Sequence, residues 1–183
     1  MTGPTEPVRY EAAIRRLDHA DFDALVRHEA PGALRLATVV LGTAEGADDV
    51  VQVAMERAWS SIGRYDAARP FRPWFFRIVA NTARNDRRQR GRMAALALRA
   101  GGRREPAADS TEEHVITAAE RRLVLAAINR LDVEDRLVIA LRYFEQLGES
   151  EMADVLACPP GTVKSRLTRA RIHLRRHLED AGG

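Results

Sequence analysis

The residues most able to do chemistry lie between Gly148 and His177, in the stretch GESEMADVLACPPGTVKSRLTRARIHLRRH. The chemistry they suggest is non-covalent. Thr162 and Ser165 are short hydroxyl side chains flanked by Lys164, Arg166 and Arg169, a set that suits a helix whose first turns meet base edges while its cations hold phosphates. Ser150 is placed to cap a first helix bearing Met152, Val155 and Leu156 on one face. Cys158, Pro159, Pro160 and Gly161 then break the chain. Thr162 restarts a helix in which Val163, Leu167, Ala170 and Leu174 recur at the helical period, so that Lys164, Ser165, Arg166, Arg169, Arg171, His173, Arg175 and Arg176 fall on the remaining surface. No acid occurs from Pro160 to Leu178. An ordinary solvated face mixes charge signs, as this chain does from Glu105 to Asp154, where 12 acids accompany 5 arginines. A one-signed second helix after a sharp turn therefore reads as a DNA-binding helix-turn-helix.

A second basic cluster, Arg84, Arg87, Arg88, Arg90 and Arg92, is interleaved with Asn81 and Asn85, one turn apart. Asparagine amides present a donor and an acceptor together, which suits a base edge. The plainer reading is a solvated helix end favoured by the helix dipole. Upstream, Arg64 to Trp74 places aromatics beside arginines, an arrangement able to stack on unpaired bases. Trp74 and Phe75 belong more naturally to a core, and Tyr65 is the better stacking residue.

Asp48, Asp49, Gln52 and Glu56 share one side of a helix. Paired carboxylates invite a metal-dependent nuclease reading, but three or more converging carboxylates would be wanted; helix capping and a polar protein-binding face are the alternatives. His173 and His177 have metal-compatible spacing without a third ligand beside them. No catalytic triad, phosphate loop or cofactor fingerprint is present, so we expect no enzyme activity, no metal and no cofactor.

Composition supports a folded, globular chain: 183 residues, 45% hydrophobic, 30% charged, with a net charge of +3. Every basic residue other than histidine is arginine except Lys164, and guanidinium forks suit phosphates. The single cysteine, Cys158, excludes an internal disulfide and reads as a small filler of the turn. No apolar run reaches bilayer length and the N-terminus lacks a signal-peptide core, so a cytoplasmic location is expected.

The pattern predicts an all-α fold of two small helical domains joined by a flexible linker, the second containing the helix-turn-helix. The expected boundaries are a tail over 1–20, a first domain over 21–92, a linker over 93–114 and a second domain over 115–179. Pro31 and Gly32 mark a break or kink within Asp21 to Leu41, and Gly63 to Pro73 is expected as a loop. The next helix is expected over Phe75 to Arg92, with Met93 to Ala100 able to prolong it. Domains of this size are near the lower limit for an independent core, so partner contacts should contribute to their stability.

With both basic helices placed, the chain resembles the extracytoplasmic-function group of bacterial sigma factors, compact members of the sigma-70 family. ADDVVQVAMERAW is similar to the segment that docks on the beta-prime clamp helices of RNA polymerase. FRPWFFRIVANTARNDRRQR is similar to the promoter-melting and minus-10 segment. LDVEDRLVIALRYFEQLGESEMADVLACPPGTVKSRLTRARIHLR is similar to the minus-35 reader. The resemblance implies polymerase contact by Asp48, Asp49, Gln52 and Arg57. It implies capture of a flipped minus-10 base at Tyr65, with Asn81, Arg84, Asn85 and Arg88 on that strand. It assigns the minus-35 element to Gly161, Thr162, Lys164, Ser165, Arg166 and Arg169, and the beta flap to the helices around Leu137 to Phe144. An anti-sigma factor is an implied partner. Departures from the pattern are Val53 and Ala54, where an acid and a hydroxyl are common; Leu131-Asp132 for Leu-Pro; and Ala157 at a frequent glycine. The alternatives from the residues themselves are a stand-alone helix-turn-helix regulator and the nuclease.

Overall fold

The structure, a computed structural model, describes residues 19–99 and 115–182. In chain order it has α1 (His19–Leu41), α2 (Ala47–Ser61), a 3₁₀ turn (Ile62–Arg64), α3 (Phe71–Arg99), α4 (Val115–Arg130), α5 (Val133–Ile139), a π turn (Ala140–Phe144), α6 (Glu149–Leu156) and α7 (Pro160–Gly182). There is no strand among the described residues, in keeping with the helical periodicity throughout.

Helices α1, α2 and α3 form one bundle around Phe22, Leu36, Ala37, Val40, Val50, Ala54, Phe75, Phe76 and Val79, all buried. Helices α4 to α7 form another around Ile128, Leu137, Leu141, Met152, Val155, Val163 and Ala170. The two cores are continuous as one apolar cluster, with α1 lying on α5 and the π turn, and α3 on α6. The extra support expected for such small domains therefore comes partly from each other.

Several local expectations are corrected. Pro31 lies inside an unbroken α1 instead of separating two stretches. The segment expected as a loop up to Pro73 is already helical from Phe71. Pro73 is tolerated there because the first four N–H groups of a helix have no intrahelical acceptor to lose. Helix α6 starts at Glu149, so Ser150 is inside it, and the cap is made by Glu151, whose carboxylate accepts from the Gly148 N–H at 2.8 Å. Helix α3 runs on to Arg99, the extension anticipated through Met93 to Ala100. The rest of the expected linker, residues 100–114, and the tail up to residue 18 lie outside the described residues.

The π turn delivers an acid to the contact between the bundles. The Glu145 N–H donates to the Ala140 carbonyl at 3.0 Å, a bond spanning five residues that widens the helix by one residue. Glu145 thereby ends fully buried against α1 and α3.

Candidate nucleic-acid interface

Helix α7 is built as its sequence required, with Pro160 at the first helical position, where its missing N–H costs nothing. Val163 and Ala170 are wholly buried, and Leu167 and Leu174 pack partly buried against the same core. Thr162, Ser165, Arg166 and Arg169 then share a stripe at helical spacings of three and four, pointing away from the core. A Cβ built on Gly161 would meet nothing within 4 Å. The start of the helix is thus open to close approach from outside. Lys164 and Ser165 are exposed, and Lys164, Arg166, Arg171, Arg175 and Arg176 have no partner among the described residues.

Arg169 differs. Its Nε lies 3.6 Å from Oδ1 of Asp135, a fully buried carboxylate whose Oδ2 is 2.5 Å from His173 Nδ1. Asp135 thus ties α7 to the start of α5 by two side chains while leaving the Arg169 side chain more than half exposed. A guanidinium held this way meets a phosphate with less conformational entropy to lose.

The second basic surface is on α3. Asn81, Asn85 and Arg88 are exposed and aligned at spacings of four and three. Arg84 turns aside: it is only 13% exposed and ion-paired with Glu134 of α5. Arg87 donates to the Leu41 carbonyl at the end of α1, and burial lowers its pKa. Facing it, Arg136 donates to the carbonyls of Leu131 and Asn129. Burial, and secondarily the charge of Arg87, lower Arg136 to about 10, against the opposing pull of Asp132.

Tyr65 is half-buried, with its ring 5.7 Å from Phe71 and 5.0 Å from Trp74. Its hydroxyl donates to the Arg69 carbonyl, and burial, with Asp66 beside it, raises its pKa. Together with Trp74, Arg64, Arg69 and Arg77 it lines a cavity of about 320 Å³ whose wall also includes Asp154 from α6. Trp74, expected in the core, is only partly buried and contributes to this cavity. Sequence reasoning missed the pairs of Arg72 with Glu29 at 3.1 Å and with Glu145 at 2.8 Å, of Arg35 with Glu145 at 3.1 Å, and of Arg84 with Glu134. The one available hint was an acid, Glu145, directly after the apolar run Leu137 to Phe144.

Asp48, Asp49, Gln52 and Arg57 are all exposed on α2, and the Arg57 guanidinium also donates to Thr82 Oγ1 at 3.1 Å. No group of three or more potential metal ligands occurs among the described residues.

Taken together, a helix-turn-helix with a one-signed outer face and a second basic helix beside an aromatic cavity define a helical DNA-binding protein of two units. Residues 25–93 match the sigma-70 region 2 family and residues 121–174 the sigma-70 region 4 family. The chain is 35% identical over 176 residues to the extracytoplasmic-function sigma factor SigL of Mycobacterium tuberculosis, covering 94% of this chain and 93% of that protein. It is 32% identical over 177 residues to the RNA polymerase sigma-H factor of Pseudomonas aeruginosa, covering 86% of each. Among solved structures, the sigma factor RpoE of Bartonella quintana, in complex with the anti-sigma factor NepR, shares the fold with a TM-score of 0.72 at 24% identity, covering 87% of this chain and 97% of that one. CnrH, in complex with the cytosolic domain of CnrY, gives 0.63 at 28% identity, covering 89% and 90%. The chain belongs to the sigma-70 family, in its extracytoplasmic-function group. It is a sigma factor, which binds core RNA polymerase and directs it to promoters in transcription initiation.

Proposed function

We propose that α7 reads the minus-35 element through Gly161, Thr162, Lys164, Ser165, Arg166 and Arg169, while the first bundle captures the minus-10 strand as it leaves the stack. The observation that carries this reading is the outward, one-signed face of α7 beside an open helix start, with Lys164 and Arg166 unpaired among the described residues and Arg169 held by Asp135. Asn81, Asn85 and Arg88 approach the minus-10 strand, Arg84 joins them only when its pair with Glu134 opens, and the cavity at Tyr65 receives a base. The exposed face Asp48, Asp49, Gln52 and Arg57 docks on the beta-prime clamp helices, and the surface around Leu137 to Phe144 on the beta flap. Captured bases bias melting without covalent chemistry, so the protein works as a non-enzymatic subunit. Weak binding by each unit suffices, because polymerase supplies the effective concentration for both.

The expected domain division, 21–92 and 115–179 about a linker, is part of this proposal, as is a cytoplasmic site of action. No described helix is long and apolar enough to cross a membrane. An anti-sigma factor is the proposed regulator, in line with the partners of the two structural relatives.

The test is to mix the protein with core RNA polymerase, look for a co-migrating complex, and then assay initiation from genomic fragments. A complex with new initiation supports the reading. DNA binding without any polymerase complex would transfer the protein to the stand-alone regulators.

A further inference from the structure

Asp135 lies wholly buried under α7, a helix that carries no acid of its own from Pro160 to Leu178. It belongs to the first turn of α5, where the free N–H groups of the helix favour a negative charge. Its two oxygens are used differently. Oδ2 lies 2.5 Å from His173 Nδ1, which fixes the orientation of the carboxylate. Oδ1, also buried, takes part in no hydrogen bond among the described residues and faces Arg169 Nε at 3.6 Å. The contact engages Nε alone, and neither Nη group of Arg169 makes a hydrogen bond among the described residues. The side chain is 56% exposed and shares the outer stripe with the short Thr162 and Ser165.

Two donors on a planar fork match the O6 and N7 acceptors of guanine in a major groove. They match a phosphate as well, and an ordered side chain suits either acceptor. The acid decides between them. A phosphate brought to Arg169 would also be brought near the Asp135 carboxylate, and the two anions repel, whereas a guanine edge carries no net charge. A guanidinium already paired with an acid also releases fewer counterions on meeting a phosphate. We propose that Asp135, buried and out of reach of DNA, is a positioning residue for base readout: it holds Arg169 by Nε and turns the free Nη edge onto a guanine of the duplex. This rests on the reading of α7 as the minus-35 reader and adds to it a source of specificity on another helix.

The test starts from the full chain and a randomised duplex pool, with and without core polymerase. Duplexes enriched by the wild type define the site, and each of its base pairs is then changed in turn. The wild type should prefer G·C over the other pairs by about twentyfold at one position. In Asp135→Asn that preference should shrink to about threefold or less, while the other positions hold within about twofold. Arg169→Lys, which keeps the charge and loses the fork, should blur the same position. Binding of mixed-sequence duplex by Asp135→Asn should stay equal or rise, because an acid has gone and the cation remains. The exposed Glu179→Gln removes a negative charge elsewhere on α7 and should leave the preference intact. A uniform loss at every position in Asp135→Asn, or a loss at a position that Arg169→Lys leaves sharp, overturns the inference. If thermal melting shows Asp135→Asn unfolded, the wild-type complex decides through the NMR signal of the Arg169 Nε–H, identified by its disappearance in Arg169→Lys. A signal distinct from the free arginines and slow to exchange with water supports the hold by Asp135; one averaged with them overturns it. A wild type that enriches no duplex under either condition refutes the reading of α7 and this inference with it. A selected site in which no guanine responds to Arg169→Lys refutes the inference alone.

Discussion

In α3 the guanidiniums of Arg84, Arg87 and Arg90 end on acceptors within the chain, namely Glu134, the Leu41 carbonyl, and Asp86 with the Glu45 carbonyl. In α7, Lys164, Arg166, Arg171, Arg175 and Arg176 end without a partner among the described residues. Both helices are rich in positive charge by sequence, yet one spends much of it on holding the fold together and the other presents it outward. Arginine count alone therefore does not measure a nucleic-acid surface. What separates these two sets of cations is whether a backbone carbonyl or an acid lies within reach; Arg169 of α7, beside Asp135, falls with the first set.

That contrast is open to direct attack. The largest effect is expected from Arg136→Ala, which removes the buried guanidinium opposite Arg87 and orphans the carbonyls of Leu131 and Asn129. Stability should fall by about 3 kcal/mol in urea unfolding; an unchanged midpoint would erase the distinction between inward and outward arginines. Next, Arg166→Ala should weaken minus-35 duplex binding by about 2 kcal/mol. Its unfolding midpoint should not move, and its association with polymerase should stay intact; an equal loss of polymerase association would show that the roles are misassigned. Arg87→Ala should cost about 1 kcal/mol, less than a charged hydrogen bond usually contributes, because its removal also relieves repulsion on Arg136. A double-mutant cycle with Arg136→Ala would expose that repulsion as non-additivity. The smallest change is expected from Arg175→Ala: near-uniform weakening across DNA sequences, with the salt slope reduced by about 1. A sequence-dependent loss would place Arg175 on a base instead of a phosphate.

The helices, the turn before α7 and its two faces were legible in the sequence, because they depend on local periodicity and on breakers. Val163, Leu167, Ala170 and Leu174 sit against the core as their spacing required. Pro73 and Ser150 misled by a few residues, since a proline is cheap anywhere in the first turn and a glutamate at the third position can cap as well as a serine. Leu123 and Leu125, on the same apolar-looking helix as Ile128, remain nearly half exposed. The ion pairs between bundles were out of reach: Arg35 and Glu145 are 110 positions apart, and nothing in either neighbourhood names the other. For the same reason Arg84 looked like its free neighbour Arg88 until Glu134 was placed beside it.

The π turn at Ala140–Phe144 also sets a phase. An ordinary helix advances about 100° per residue, so one additional residue in a turn swings everything after it by roughly that angle. Deleting the exposed Tyr143 would restore an ordinary turn and rotate Glu145 away from Gly32, Arg35 and Arg72. The rotation would leave the apolar residues before it in place. One inserted residue thus acts as an angular offset between α5 and the chain that follows it within the second bundle, a setting that length changes can alter but side-chain substitutions cannot.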